Sequence, residues 1–183
     1  MNLVEITEEK YEVSIELAYA TNNNFTGKKI YNSSKCFIHK YAEPYLVHAI
    51  NIAKILGFKI KIYDAYRPTE AQKLLWESFP DKKFITPPDI GSPHSRGTAI
   101  DLTLVNNNSL ELDMGTPFDS FSKESFHGNM SVSKEARKNR FILLGIMTAA
   151  GWDFYQKEWW HYQLFNSKKF KLINNSMLKN PMM

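Results

Sequence analysis

The chain has 183 residues, with 23 Lys and Arg against 19 Asp and Glu, a net charge of +4 and one cysteine. This length is typical of one compact domain, and we expect residues 1–183 to form it. A single cysteine excludes an intrachain disulfide and any zinc site built on two or more thiolates, so a metal would need mainly His and carboxylate ligands. The basic residues are scattered among acidic ones, which argues against nucleic acid as a partner.

The chain also lacks the patterns of a membrane protein. It has no apolar run of the roughly 18 residues needed to span a bilayer. Its first eleven residues carry Glu5, Glu8 and Glu9 where a secretory signal would have an apolar core. We therefore expect no membrane partner and a cytoplasmic location.

The predicted elements begin with a helix and a strand. Apolar spacing predicts a helix over residues 41–57, in which Gly57 serves as the C′ residue that ends it. Apolar and polar residues then alternate over 58–63, which predicts a strand with one face in the core. Thr69 and Gln72 form a capping-box pattern, which predicts a helix from Thr69 to about Phe79.

The second half of the chain continues this mixture of strands and helices. Four prolines between residues 80 and 93 indicate a surface loop. The later patterns predict a strand, a long loop, a long helix and two short strands, over residues 98–104, 113–129, 133–150, 152–155 and 160–165. Together the elements predict an α+β fold, in which a small antiparallel sheet has helices packed on one face.

Residues that can bind a metal lie close to these strands. His94 lies in the loop before strand 98–104, and Gly97 can adopt the positive φ that lets this loop turn back toward the strand. Asp101 lies within that apolar strand, where a buried carboxylate must be paired, hydrogen-bonded or metal-bound. His161 lies in the last strand. Three such ligands leave the fourth zinc position open for water, as in catalytic sites, although spacing alone also allows His94 and His161 to be ordinary solvated side chains.

Two charged residues could serve such a site. Glu158 can reach the same site as His161 only if it lies in the turn before the last strand. It would then accept a proton from the attacking water. Arg67, at the end of strand 58–63, could stabilise the negative charge that develops on an attacked carbonyl. Without a metal site, the sequence would favour the interpretation that both residues are ordinary surface charges.

Several separated segments together resemble a known family. Ser92-x-His94-x-x-Gly97-x-Ala99-x-Asp101 and Glu158-x-Trp160-His161 resemble the paired signature of the zinc D-Ala-D-Ala peptidases. The resemblance extends, in order, to the VanX-type D-alanyl-D-alanine dipeptidases, through residues 19–21 with 24–27, 64–68, 95–104, 114–119 and 158–162. It covers about residues 19–165.

The resemblance implies roles that spacing alone does not give. It implies one Zn²⁺ per chain, held by His94, Asp101 and His161, with Glu158 as the catalytic base and Arg67 as the residue that polarises the scissile carbonyl. It also implies a pocket for a small D-amino-acid dipeptide, lined by four residues: Tyr19, Asp64, Ser92 and Asp119. Within this pocket we expect Asp119 to bind the substrate ammonium and Ser92 its carboxylate.

The sequence is also compatible with two other functions. A D,D- or L,D-carboxypeptidase that trims cell-wall peptides would fit if residues 80–91 left the pocket more open. A zinc-stabilised binding module without turnover would use the same three ligands, but it would need neither Glu158 nor Arg67. For a dipeptidase, both glycopeptide resistance and D-alanine recycling are compatible with the sequence.

Overall fold

The computed structural model describes residues 2–183. Within these residues the helices are α1 (Glu8–Tyr11), α2 (Glu43–Ile55), α3 (Thr69–Ser78) and α4 (Lys134–Ala149). The strands are β1 (Leu3–Ile6), β2 (Ser14–Ile15), β3 (Cys36–His39), β4 (Lys59–Asp64), β5 (Ala99–Val105), β6 (Asp153–Phe154) and β7 (His161–Gln163). The α+β prediction is confirmed. No helix among residues 2–183 has the length and apolar character needed to cross a membrane.

The main sheet has five strands in the order β2-β4-β5-β7-β6, and β1 pairs with β3 in a separate antiparallel pair. Strands β4, β5, β7 and β6 pair antiparallel, as expected, but β2 joins β4 in parallel. The prediction of a wholly antiparallel sheet was therefore wrong at this edge. Strand β2 has only two residues, too few for an alternating pattern to be visible in the sequence.

Strand β5 lies at the centre of the sheet, and all its residues are buried. Its side chains alternate between the two faces, so Ile100 and Leu102 lie on one face while Asp101 and Thr103 lie on the other. Helices α2 and α4 contact each other, and they also contact β4 and β6, respectively. Because Ile100 and Leu102 are apolar and fully buried, we assign the helices to their face. Asp101 then lies on the opposite face, where a polar site can form.

The predicted helix ends agree with the structure at two positions and differ at a third. Ser133 caps α4, because its Oγ accepts a hydrogen bond from the Ala136 amide at 3.0 Å. Gly57 follows α2 with a φ of 78°. The capping box at Thr69 was wrong: Pro68 is the N-cap residue of α3 and no side chain caps the helix. The side chain of Gln72 is turned into the protein interior, where it makes other hydrogen bonds.

Candidate active site around a metal-binding group

Three side chains that can bind a metal meet on the polar face of the sheet. Strand β7 pairs with β5 so that His161 lies directly opposite Asp101. His94 opens the short turn that leads into β5. The His94 Nε2 and His161 Nδ1 atoms are 3.1 Å apart, and the Asp101 carboxylate lies 3.3 Å from the former and 3.0 Å from the latter. The structure thus brings together the three ligands predicted from the sequence as a metal-binding group.

Gly97 allows the turn that carries His94 to lie this close to the sheet. Its φ is 68°, a conformation that residues with a side chain rarely adopt. A Cβ atom at this position would lie 2.7 Å from the Leu3 side chain and 3.0 Å from the His39 amide nitrogen. Both the backbone conformation and the lack of space therefore require glycine here.

Hydrogen bonds on the outer sides of the two imidazoles determine which nitrogens face inward. His94 Nδ1 lies 2.7 Å from the Ala65 carbonyl oxygen, and His161 Nε2 lies 3.2 Å from Gln163 Oε1. Because a neutral imidazole has one N–H, donating outward leaves the inner nitrogens of both rings as acceptors. Two nitrogen lone pairs and a carboxylate then converge without a proton between them. Such a donor set fits a bound cation.

The electrostatics around Asp101 agree with that conclusion. Burial by itself would raise the pKa of this carboxyl group. The adjacent His94 and His161 outweigh this effect and hold the pKa well below its usual range. Asp101 therefore stays ionised and available as a ligand.

Glu158 lies in the turn between β6 and β7, where it must lie to share a site with His161. Its Oε2 is 4.0 Å from His161 Nδ1, and the side chain is buried. Burial is the main reason that its pKa is raised to about 8, with smaller contributions from Asp101 and Asp119. The carboxyl group is therefore close to the metal-binding group without being one of its three members.

Arg67 follows β4 and is held on every nitrogen of its guanidinium group. Nε donates to Asp64 Oδ2 at 2.8 Å, Nη1 donates to Gln72 Oε1 at 3.0 Å, and Nη2 donates to Asp101 Oδ2 at 3.3 Å. The group also lies over the ring of Tyr19, 5.0 Å from its centroid. These contacts fix a positive charge beside the metal-binding group.

Asp64 has a position that differs from the expectation of a pocket-lining residue. It is fully buried behind Arg67, and it accepts a hydrogen bond from the Tyr31 hydroxyl at 2.9 Å. The pairing of β4 with β5 shifts register between Ile62 and Asp64. This irregularity puts Asp64 opposite Asp101 instead of opposite Ile100, where regular pairing would leave it. The shift therefore turns Asp64 toward Arg67.

The other three expected pocket residues, Tyr19, Ser92 and Asp119, do line the cavity, which has a volume of about 240 Å³. The Tyr19 hydroxyl donates to Asp119 Oδ2 at 2.9 Å. Ser92 Oγ accepts a hydrogen bond from the His94 amide at 3.2 Å. Burial, followed by the nearby Asp101, raises the pKa of Asp119 to about 8. The cavity therefore has a carboxyl group and a hydroxyl group on its walls.

Three phenylalanines line the cavity from loops, and we call Phe25, Phe84 and Phe121 the aromatic roof. The Phe121 ring centroid lies 4.8 Å from that of Phe25 and 5.2 Å from that of Phe84. The Tyr155 hydroxyl donates to the Lys83 carbonyl oxygen at 2.8 Å, which ties one roof segment to the region of β6. Contacts within the roof thus connect segments that are far apart in the sequence.

Sequence reasoning did not identify Gln72, Gln163 or Phe121 as parts of the site. Gln163 follows His161 by two residues on the same strand face, so strand periodicity could have indicated it. Gln72 lies on the buried face of α3 beside Ala71, and a polar residue at such a position requires a partner. Phe121 lies in a loop with no periodic pattern, and its contacts are visible only in the tertiary structure.

Comparisons with known proteins give a consistent result. A family model described as D-ala-D-ala dipeptidase matches residues 1–180. A protein of Escherichia coli named D-alanyl-D-alanine dipeptidase is 43% identical over 88% of this chain and 84% of its own length. A protein of Enterococcus faecalis with the same name is 32% identical over 88% of this chain and 90% of its own.

A solved structure also shows some similarity. It is the Zn(II) complex of a point mutant of the vancomycin resistance D,D-pentapeptidase VanY. The two chains are 16% identical with a TM-score of 0.46, over 73% of this chain and 75% of the other.

Proposed function

This chain belongs to the D-Ala-D-Ala dipeptidase family, and from that premise we propose that it is a zinc-dependent dipeptidase that hydrolyses D-alanyl-D-alanine to two molecules of D-alanine. One observation carries the proposal: the three convergent ligand atoms lie beside a buried glutamate and a fixed arginine in one small cavity. A purely structural metal site would require neither of these charged groups.

The donor set supports zinc as the metal, with one ion per chain. Two imidazole nitrogens and one carboxylate are ligands that zinc commonly takes, and three protein ligands leave a position open, as in catalytic sites. When bound, zinc lowers the pKa of a coordinated water toward about 7 and polarises a carbonyl oxygen. We assign His94, Asp101 and His161 as the ligands.

Glu158 and Arg67 supply the acid–base and electrostatic functions in this proposal. The positive charge of a bound metal ion would favour the ionised form of Glu158 and counteract the effect of burial on its pKa. The ionised carboxylate accepts a proton from the water that attacks the peptide carbonyl, and it then passes that proton to the leaving amine. Arg67 donates hydrogen bonds to the carbonyl oxygen as negative charge develops on it. The anchors on Arg67 keep the guanidinium group in place, so its orientation is established before the reaction begins.

The cavity is suited to a small substrate. Its volume of about 240 Å³ lies below the roughly 300–1,000 Å³ typical of small-molecule pockets. We assign Asp119, held by Tyr19, to the substrate ammonium, and Ser92 to the substrate carboxylate. We reassign Asp64 from substrate binding to the positioning of Arg67, because it lies behind the guanidinium group.

The direct test is hydrolysis by the purified, zinc-loaded chain. We expect release of D-alanine from D-Ala-D-Ala, little cleavage of L-Ala-L-Ala, and little cleavage of a pentapeptide that ends in D-Ala-D-Ala. Comparable cleavage of the pentapeptide would establish the carboxypeptidase alternative. Bound zinc without hydrolysis of any D-amino-acid peptide would establish the binding module.

Two substitutions separate catalysis from metal binding. Glu158→Gln should retain zinc and lose activity by about 10³-fold, because the proton acceptor is removed while the ligands stay. His161→Ala should lose both zinc and activity. Glu135→Gln, at an exposed position on α4, serves as the matched control and should behave like the unmodified chain. Undiminished activity of Glu158→Gln would contradict the assignment of the base.

A further inference from the structure

Gln72 makes two hydrogen bonds from one buried side chain, and each joins it to a different part of the site. Its Oε1 accepts from Arg67 Nη1 at 3.0 Å, and its Nε2 donates to the Thr86 carbonyl oxygen at 2.7 Å. The residue is 2% exposed. The amide group therefore links the arginine of the site to the loop that contains Thr86.

The Arg67 end of this link differs chemically from the other two anchors of the guanidinium group. Asp64 and Asp101 are carboxylates, and both compensate the positive charge of Arg67. Gln72 is a neutral acceptor, so it restricts the rotation of Nη1 without adding a third negative charge. It thus helps to hold the orientation of the guanidinium group without further neutralising its positive charge. That charge can then stabilise the carbonyl oxygen of a substrate.

The Thr86 end of the link holds a wall of the cavity. Residues 82–86 all line the cavity, and they include Phe84 of the aromatic roof. This segment has no helix or strand of its own. Gln72, by contrast, lies on the buried face of α3, so its hydrogen bond attaches the loop to a regular element.

We propose that Gln72 is a positioning residue that couples the placement of the cavity wall at residues 82–86 to the orientation of the Arg67 guanidinium group. The catalytic consequence rests on the proposed function, whereas the physical link does not. Because one amide group makes both hydrogen bonds, a displacement of residues 82–86 also shifts the Oε1 atom that accepts from Arg67 Nη1. A rotation of the guanidinium group likewise shifts the Nε2 atom that donates to the Thr86 carbonyl oxygen.

A double-mutant cycle distinguishes this role from simple structural support. Gln72→Met keeps the length of the side chain but removes both hydrogen bonds, and it should lower kcat about tenfold with little change in KM, since Arg67 acts mainly in the transition state. In an Arg67→Ala background the same substitution should change kcat by less than about twofold, because the group it orients is gone. Equal losses in both backgrounds would overturn the proposal, as would an unchanged kcat.

Hydrogen exchange measures the wall separately from activity. The amides of Phe84 and Ile85 both donate to the Asp81 carbonyl oxygen, and in Gln72→Met they should exchange about tenfold faster, because the loop opens more often. Asn139→Leu is the matched control, since Asn139 is a buried amide on α4 that donates to the Asp113 carbonyl oxygen at 2.8 Å. It should leave both kcat and the exchange of these two amides unchanged.

The remaining outcomes are also decisive. If Gln72→Met does not fold, Gln72→Asn replaces it, because the shorter amide cannot reach both partners at once. If the unmodified chain hydrolyses no D-amino-acid dipeptide, the proposed function fails. The coupling is then tested by two measurements that need no activity: hydrogen exchange of the wall amides and the NMR signal of the Arg67 Nε–H group. If both measurements change in Gln72→Met, the coupling is supported. It is overturned if either the exchange protection of the Phe84 and Ile85 amides or the Nε–H signal stays equal to that of the unmodified chain.

Discussion

The floor and the roof of the cavity are built from different kinds of structure. The floor comprises the cavity residues on or near strands β4, β5 and β7. Two of the three candidate ligands, Asp101 and His161, lie on paired strands, and Arg67 lies three residues after the end of β4. The aromatic roof, by contrast, lies on loops that contact one another through rings. Strand pairing fixes positions closely, as catalysis requires, whereas loop contacts tolerate change and are suited to selecting a substrate. We therefore expect substitutions in the floor to affect turnover or metal binding, and those in the roof to affect which peptides are cleaved.

Among the further substitutions that test this comparison, the largest effect should come from Arg67→Lys, in the floor. Lysine keeps the charge but cannot reproduce the three anchored nitrogens, so we expect kcat to fall by about 10²–10³-fold, as when one oxyanion donor is lost. Zinc content, measured by metal analysis, should not change. Arg137→Lys, on α4 and outside the cavity, is the control. A loss smaller than about threefold in kcat would mean that Arg67 does not stabilise the transition state.

Gln163→Met, also in the floor, tests the hydrogen bond that orients His161. Methionine has a similar size, but its sulfur is too weak an acceptor to replace Gln163 Oε1 in the hydrogen bond from His161 Nε2–H, so the imidazole is free to rotate or to change tautomer. We expect zinc affinity, measured by competition with a chelator, to weaken about 10–100-fold. Gln156→Met, in the exposed turn after β6, should bind zinc like the unmodified chain. Equal affinities for the two variants would show that Gln163 does not orient His161.

Phe121→Ala tests the roof. Removing the ring that contacts both Phe25 and Phe84 should enlarge the cavity and admit longer peptides. We expect the ratio of kcat/KM for D-Ala-D-Ala-D-Ala to that for D-Ala-D-Ala to rise about tenfold, within the range of discrimination that a hydrophobic contact provides. Zinc affinity should stay the same. Phe141→Ala, an exposed ring on α4, is the control, and an unchanged ratio in Phe121→Ala would remove the roof as a determinant of substrate length.

The smallest effect on the site should come from a substitution of His127. This residue packs against Phe154 and Tyr162 at the edge of the sheet. Burial, together with the nearby Arg140, lowers the pKa of His127 to about 4. The unfolded chain takes up a proton on this residue near pH 6.5 and the folded chain does not, so stability is lost as the pH falls from about 6.5 to 4.

Comparison with a variant isolates this contribution. His127→Phe cannot titrate, so between pH 7 and 5 the unmodified chain should lose about 1–2 kcal/mol more unfolding free energy than the variant does. Denaturant titrations at the two pH values measure this difference. Parallel pH profiles would show that His127 does not have the lowered pKa, and turnover at pH 7 should be the same for both proteins.

Part of the fold could be predicted because its signals are local. Helix α4 has a capping serine and a long apolar period. In strand β5 the side chains alternate between the two faces, which placed Asp101 on the face opposite to that of its apolar neighbours. The short elements near the N-terminus, such as β2, were missed. A strand of two residues is formed by its partner across the sheet and has no periodic pattern of its own.

The candidate metal ligands, Glu158 and Arg67 could be proposed from the sequence by itself. Their side-chain chemistry is specific, periodicity places them within or near strands, and the resemblance to a known family implied their roles. Only the tertiary structure decided the position of Asp64 behind Arg67, the two bonds of Gln72 and the contacts of Phe121. These features depend on a register shift and on contacts between segments that are distant in the sequence. Local periodicity does not encode such tertiary contacts, because they form only when the whole core packs.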